Sequence, residues 1–199
     1  SFWLEKNDIS LKNVHIIKED DLKSISSLKN PNQIIAVFEQ KKMSLNYKEL
    51  KKKVHVFLEN ITNPGNLGSI IRTCDWFGIK DIICSNDSVE MYNPKVVQSS
   101  MGSLSRVSVS YVNKDIFFSY LKQKNIHPLV ADLNGENIYH QKKISNGIVC
   151  FGNESLGVSK KLQEIASQKI TIPSFNKKCE SLNLSVSFGI IISQILEEK

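Results

Sequence analysis

From about residue 33 onward the chain alternates short apolar runs with amphipathic stretches. Ile34–Phe38, Val54–Leu58, Asp81–Cys84, Val107–Val112, Pro128–Asp132, Gly147–Phe151 and Lys169–Ile172 read as strands. Between them, Tyr47–Lys53, Leu67–Phe77, Lys95–Met101, Asp115–Lys124 and Lys160–Ser167 carry helical spacing. Strands that alternate with helices predict an α/β fold, a mostly parallel sheet with helices on both faces. The last segment is ambiguous. Leu182, Leu184, Val186 and Phe188 alternate like a strand, whereas Leu184, Phe188, Ile191, Ile192 and Ile195 fit one helical face. The unbroken pattern as far as Leu196 favours a helix from about Leu184. Residues 1–32 are polar and irregular and end in a Pro-centred linker, LKNPNQ.

Three polar loops follow apolar runs, within 58–78, 149–157 and 170–187. Loops at strand ends are where α/β folds place ligands, so the three point to one composite pocket. In the first, Pro64-Gly65 makes a turn and Asn66 reads as the N-cap of the next helix. Leu67, Ile70, Ile71, Cys74 and Phe77 form its apolar stripe, with Gly68, Arg72 and Asp75 on another face. A guanidinium held there suits an anion or a developing oxyanion. The bland alternative is a surface arginine paired with Asp75 or Asp81. Glu59 and Asn60 add polar groups at the strand end, or simply satisfy loop backbone.

Residues 152–159 nearly match a phosphate loop, but Val158 stands where the lysine is required, which excludes a nucleotide triphosphatase. What remains is a glycine loop with one carboxylate, Glu154, that is either functional or an exposed turn residue. In the third loop, Pro173 takes the chain out of the sheet. Ser181 is placed to cap the final helix, and Asn183 offers an amide that donates and accepts.

Charge narrows the partner. There are 26 basic and 20 acidic residues, a formal charge of +6 and a pI near 9.0. No basic amphipathic helix stands out, so the excess favours an anionic partner such as RNA over a membrane. The four cysteines form no C-x-x-C pair and no histidine has zinc-ligand spacing, so no metal is expected. Cys74, Cys84 and Cys150 lie in apolar runs and read as reduced core residues, while Cys179 lies in a polar loop. The opening SFWLEKNDIS lacks a signal-peptide layout and no run of 18 apolar residues occurs, so a cytoplasmic location is expected. No G-x-G-x-x-G follows the first strand, which argues against a dinucleotide-binding oxidoreductase.

With these residues laid out, the chain resembles the SpoU (TrmH-type) family of SPOUT RNA 2′-O-ribose methyltransferases. Asn66, Gly68, Arg72, Thr73 and Gly78, preceded by Glu59-Asn60, match its first motif. Gly152-Asn153-Glu154 with Gly157 match the second, and Ile172-Pro173 with Ser181-Leu182-Asn183 match the third. Asn93–Val97 and Ser99–Gly102 form a further family-like stretch. The resemblance implies a C-terminal trefoil knot, S-adenosylmethionine bound within it, a homodimer, and RNA as substrate. It gives Arg72, Asn66, Glu154, Ser181 and Asn183 the catalytic or substrate-facing places, and Leu133, Gly152, Asn153, Ile172 and Leu182 the cofactor site. Two departures stand out: a loop one residue longer between Pro173 and Ser181, and Asn176 where a glycine is usual. Residues 1–32 resemble the tail of an L30e-like RNA-binding domain, which leaves 33–199 as the catalytic domain. That tail favours ribosomal RNA as the substrate. Transfer RNA, or an inactive RNA-binding member of the fold, is the alternative.

Overall fold

The computed structural model describes residues 14–26, 28, 30–176 and 178–197. The chain divides into two compact units, Ser1–Gln40 and Lys41–Lys199. In the first, helix α1 (Glu19–Ile25) opens with Glu19, Asp20 and Asp21, which complement the positive end of the helix. Ile34–Phe38 is apolar but forms no strand, and every residue in it is exposed. An apolar run becomes a strand only where a neighbour pairs with it, and periodicity cannot supply the neighbour.

The second unit holds six strands: β1 (Val54–Leu58), β2 (Asp81–Ser85), β3 (Ser108–Val112), β4 (Leu129–Asn137), β5 (Gly147–Phe151) and β6 (Gln168–Thr171). They form one sheet in the order β3-β2-β1-β5-β4-β6, and every described pairing is parallel. The helices are α2 (Pro64–Trp76), α3 (Pro94–Ser100), α4 (Lys114–Gln123), α5 (Lys160–Ile165) and α6 (Leu184–Ile195). The expected helix over 47–53 is only a 3-10 turn at Tyr47–Glu49, capped by Asn46. The strand expected to end at Asp132 runs on to Asn137, because a register shift between Ala131 and Glu136 lets β4 keep pairing with β6.

Helices cover both faces, so all five residues of β1 are buried. Alternation splits them: Val54, Val56 and Leu58 join α2 and α6 in one core, and Phe57 joins α4 and α5 in the other. Rings such as Phe188, against Phe151 at 4.9 Å, and Phe57, stacked on Phe117 at 5.0 Å, anchor the two cores. Each ring contributes about 1.5–3 kcal/mol by leaving water. Gly68 lets α2 and α3 touch, since a Cβ there would lie 2.7 Å from the Val96 carbonyl oxygen and 1.9 Å from Ser99 Oγ. Cys74, Cys84 and Cys150 are buried and burial pushes their thiols up, as core cysteines require. After α6 the chain is stitched beside the approach to β5, with Ile144 N–H donating to the Ile195 carbonyl at 2.7 Å and Glu197 N–H donating to the Ile144 carbonyl at 3.1 Å.

At the opposite end of the sheet from its carboxyl edge, His55 is 1% exposed, with Nε2 3.0 Å from the Glu49 carbonyl and Nδ1 unpartnered among the described residues. Burial lowers its pKa. The Glu49 carbonyl and Asp81 oppose that shift, and Lys53 adds to it. The unfolded imidazole therefore takes a proton more readily than the folded one. His55 contributes its full stability above its ordinary value of 6.5 and loses it as pH falls through and below that value. Urea unfolding between pH 5 and 8 should give a midpoint that drops on the acid side, and His55→Phe should flatten that limb. An equal acid slope in the variant would assign the loss to other groups.

Candidate active site

The three polar loops meet at the carboxyl edge of the parallel sheet. Beyond β1, Asn60 takes a left-handed conformation (φ 55), its N–H donating to Ser85 Oγ at 2.7 Å. The chain then turns into α2, whose N-cap is Asn63, not Asn66: Asn63 Oδ1 accepts from the N–H groups of Gly65 at 2.8 Å and Asn66 at 3.3 Å. Pro64 at the first helical position places the cap one residue before it. Asn66 therefore lies inside the first turn, 6% exposed, with its side chain free for other work.

That work joins the three loops. Asn66 Nδ2 donates to Glu154 Oε1, and Asn66 Oδ1 accepts from Asn183 Nδ2 at 3.1 Å. These contacts span 88 and 117 residues of sequence. Asn183, not Ser181, is the N-cap of α6, its Oδ1 accepting from Ser185 N–H at 2.9 Å and Ser185 Oγ at 2.7 Å. Asn183 thus does two jobs with one amide: the oxygen starts a helix while the nitrogen holds Asn66. Ser181 is exposed and faces the cavity described next.

Beside this chain of amides lies a cavity of about 670 Å³. It is lined by 131–134 after the bend in β4, by 151–158, and by most of 170–191. Leu133, Gly152, Asn153, Ile172 and Leu182 all border it, as do Glu154 and Ser181, whereas Asn66, Arg72 and Asn183 do not. Asn66 is bonded to Glu154, which borders the cavity, and Asn183 stands between Leu182 and Leu184, which border it too. The floor is a tight turn: Asn153 N–H donates to the Gly157 carbonyl at 3.1 Å, and Gly157 N–H returns a bond to Asn153 at 2.9 Å. Gly152 makes that closure possible, because a Cβ there would lie 2.3 Å from Gly157 C and O. Val158 is buried in the second core, which is why this near-phosphate loop has no lysine at that position.

Arg72 stands about two turns along α2, exposed, its side chain with no hydrogen bond or ion pair among the described residues. Both acids that were candidates to pair with it are engaged elsewhere. Asp75 accepts from Arg106 at 2.7–2.8 Å, which holds its carboxyl below the usual range, and Asp81 pairs with Lys53 at 2.6 Å. The surface ion-pair reading of Arg72 therefore fails. Cys179 is exposed at the cavity rim. Sequence reading missed Asp132, Leu156 and Phe175 as cavity residues. The available signal was an apolar side chain in an otherwise polar loop, and Phe175 is 97% exposed. Among the described residues, no cluster of three or more His, Cys, Asp or Glu could hold a metal, and no helix is long and apolar enough to cross a membrane.

Comparison with known proteins places this arrangement. The chain is 26% identical over 179 residues to the 23S rRNA (guanosine(2553)-2′-O)-methyltransferase RlmP of Bacillus subtilis, covering 89% of this chain and 70% of that protein. It is 33% identical over 155 residues to an uncharacterised tRNA/rRNA methyltransferase of Borreliella burgdorferi, covering 73% of this chain and 65% of the relative. In fold it matches an AdoMet-bound rRNA methyltransferase from Sinorhizobium meliloti with a TM-score of 0.81 at 24% identity, over 89% of this chain and 69% of the other. The model of the SpoU rRNA Methylase family matches residues 53–193, a span that contains all three loops, and the chain belongs to that family.

Proposed function

We propose that the chain is an S-adenosylmethionine-dependent RNA 2′-O-ribose methyltransferase that acts on ribosomal RNA. The observation that carries this reading is the Asn183–Asn66–Glu154 chain, which ties the three motif loops together beside the cavity. The names of the relatives, the family and the basic charge support RNA as the substrate.

The residues present fit the methyl donor. The cavity has the size of a cofactor site, its walls mix apolar Ile172, Leu156 and Leu182 with polar Asn153 and Ser181, and the missing Cβ of Gly152 keeps the turn compact beneath it. When bound, S-adenosylmethionine supplies an electrophilic methyl group on a sulfonium. The protein has to align the ribose hydroxyl and manage its proton. The planar guanidinium of Arg72 offers several donors, so it stabilises the forming 2′-alkoxide and grips an adjacent phosphate while the hydroxyl proton passes to solvent water. Asn66, locked between Glu154 and Asn183, sets the first turn of α2 and so the bearing of Arg72 along that rigid helix. Ser181 orients the ribose side of the cavity rim, and Asn183, bonded to Asn66, orients the loop beside it.

Four further features belong to the same reading. A trefoil knot formed by the C-terminal segment is supported by β6 pairing with β4 rather than β5, and by the stitching of 195–197 beside Ile144. Residues 1–32 are the tail of an L30e-like domain and 33–199 the catalytic domain; a separate N-terminal unit supports the division, although it extends to Gln40 and takes in Ile34–Phe38. The working form is a homodimer. The location is cytoplasmic.

Calorimetric titration with S-adenosylmethionine should give saturable binding at micromolar cofactor. Mapping of 2′-O-methylation on total RNA, from cells with and without the gene, should lose one ribosomal site. No binding at millimolar cofactor would leave only an inactive RNA-binding member of the fold, and loss of a transfer-RNA site would overturn the choice of RNA.

A further inference from the structure

We propose that Glu59 is a positioning residue that sets the Glu154 carboxylate against Asn66, by clamping the 152–159 loop to the end of β1. The proposal rests on the methyltransferase reading only for its kinetic arm.

Glu59 directly follows β1 and is 3% exposed. A carboxylate is costly to bury unless it is bonded, so its burial needs a reason. Glu59 Oε2 accepts from the backbone N–H of Ser159 at 2.8 Å, across 100 residues of sequence. Ser159 is the N-cap of α5, so this bond fixes the far end of the loop where it becomes a helix. The near end is fixed by the next residue of the same dipeptide, since Asn153 Nδ2 donates to the Asn60 carbonyl at 2.9 Å. Between these anchors the loop closes on itself through Asn153 and Gly157, and Glu154 sits in that closed turn.

The clamp is itself held. Asn60 N–H is bonded to Ser85 Oγ, and Ser85 Oγ donates to Asp87. Asp87 pairs with Lys114 at 2.8 Å. Lys114 is held above its usual value chiefly by Asp87, and Glu59 adds to that. An uncharged apolar residue at 59 would leave the Ser159 N–H without its acceptor and free the back of the loop. Glu154 would then reach Asn66 only through the front anchor. Glu59 does not border the cavity, so it acts on the site through the loop it clamps, which carries Glu154.

The test uses the full chain and two readouts. With S-adenosylmethionine and ribosomal RNA from cells lacking the gene, Glu59→Ala should lower kcat about tenfold to a hundredfold, the scale on which misplaced groups act, with KM for RNA unchanged. In a Glu154→Ala background the same change should cost less than about twofold, because the two residues act as one unit. Glu59→Gln should restore most of the rate, since its amide oxygen still accepts from Ser159. In the second readout, the side-chain amide NMR signals of Asn66 should move in Glu59→Ala and return in Glu59→Gln. Ser159→Pro removes the same bond from the other side, together with the Ser159 cap on Leu162 N–H, at a φ of −64 that proline adopts readily, and should reproduce the loss if Glu59→Ala is poorly folded. Equal losses in both backgrounds, or unmoved Asn66 signals, would overturn the proposal. Wild-type protein that transfers no methyl group while the Asn66 signals still respond would overturn the methyltransferase reading and leave the clamp standing.

Discussion

Arg72→Ala should lower turnover on RNA by about a hundredfold to a thousandfold, the range found when a donor to a developing oxyanion is removed. Melting temperature and S-adenosylmethionine affinity should hardly change. The reasoning lies in what Arg72 does not do. It is exposed, and among the described residues no carboxylate or carbonyl engages it. A side chain that holds nothing in the fold is removed at little cost to stability, within about 0.5 kcal/mol. It also does not border the cavity, so cofactor affinity is not its task. Its neighbour Asp75 is already occupied by Arg106, which leaves the guanidinium for an anion that the protein does not supply. Arg72→Lys should recover only part of the rate, because a point charge lacks the planar fork that grips a phosphate at two oxygens. Single-turnover rates with ribosomal RNA, beside melting curves and calorimetry on the same variant, decide the matter. Near-normal turnover in Arg72→Ala would remove Arg72 from the chemistry altogether.

Much of the sheet could be read from the chain, because strands buried on both faces appear as continuous apolar runs. Gly147–Phe151 is such a run, Val54–Leu58 is one broken only by His55, and the two are direct neighbours in the sheet. Ile34–Phe38 looks the same in sequence but pairs with nothing among the described residues. The difference lies in partners, which no local pattern contains. The helix starts show a finer failure. Asn66 and Ser181 are each good caps, yet Asn63 and Asn183 win. At the first helix the deciding signal was present, since Pro64 belongs at the first helical position and fixes the cap before it. The mistake matters chemically: with Asn63 as the cap, the whole Asn66 amide is left to bridge Glu154 and Asn183. The gathering of the loops at one edge followed from the parallel sheet, but the Asn183–Asn66–Glu154 chain did not. Its links join residues 88 and 117 positions apart, and only the folded chain brings them within reach.

Gly152→Ala should weaken S-adenosylmethionine binding by about a hundredfold or more, equivalent to roughly 2.7 kcal/mol. The cause is contact, not backbone conformation. The new Cβ would lie 2.3 Å from C and O of Gly157 and 2.5 Å from N of Val158. All three are backbone atoms, so no side chain can rotate away to make room. The turn closed by Asn153 and Gly157 would have to open by about an ångström to reach ordinary van der Waals contact. Opening it moves Asn153, which is tied to Asn60, and Glu154, which is tied to Asn66. Cofactor affinity and turnover should therefore fall together, unlike in Arg72→Ala, where turnover alone falls. Gly189→Ala in α6 is the matched control: a Cβ there meets nothing within 4 Å, and alanine is the better helix former by about 1 kcal/mol. That variant should bind the cofactor as wild type does and melt no lower. Calorimetry on both, with melting curves, separates the outcomes. If Gly152→Ala bound S-adenosylmethionine within twofold of wild type, the turn would not be the floor of the cofactor site, and the donor would have to lie against the 131–134 and 170–182 walls of the cavity.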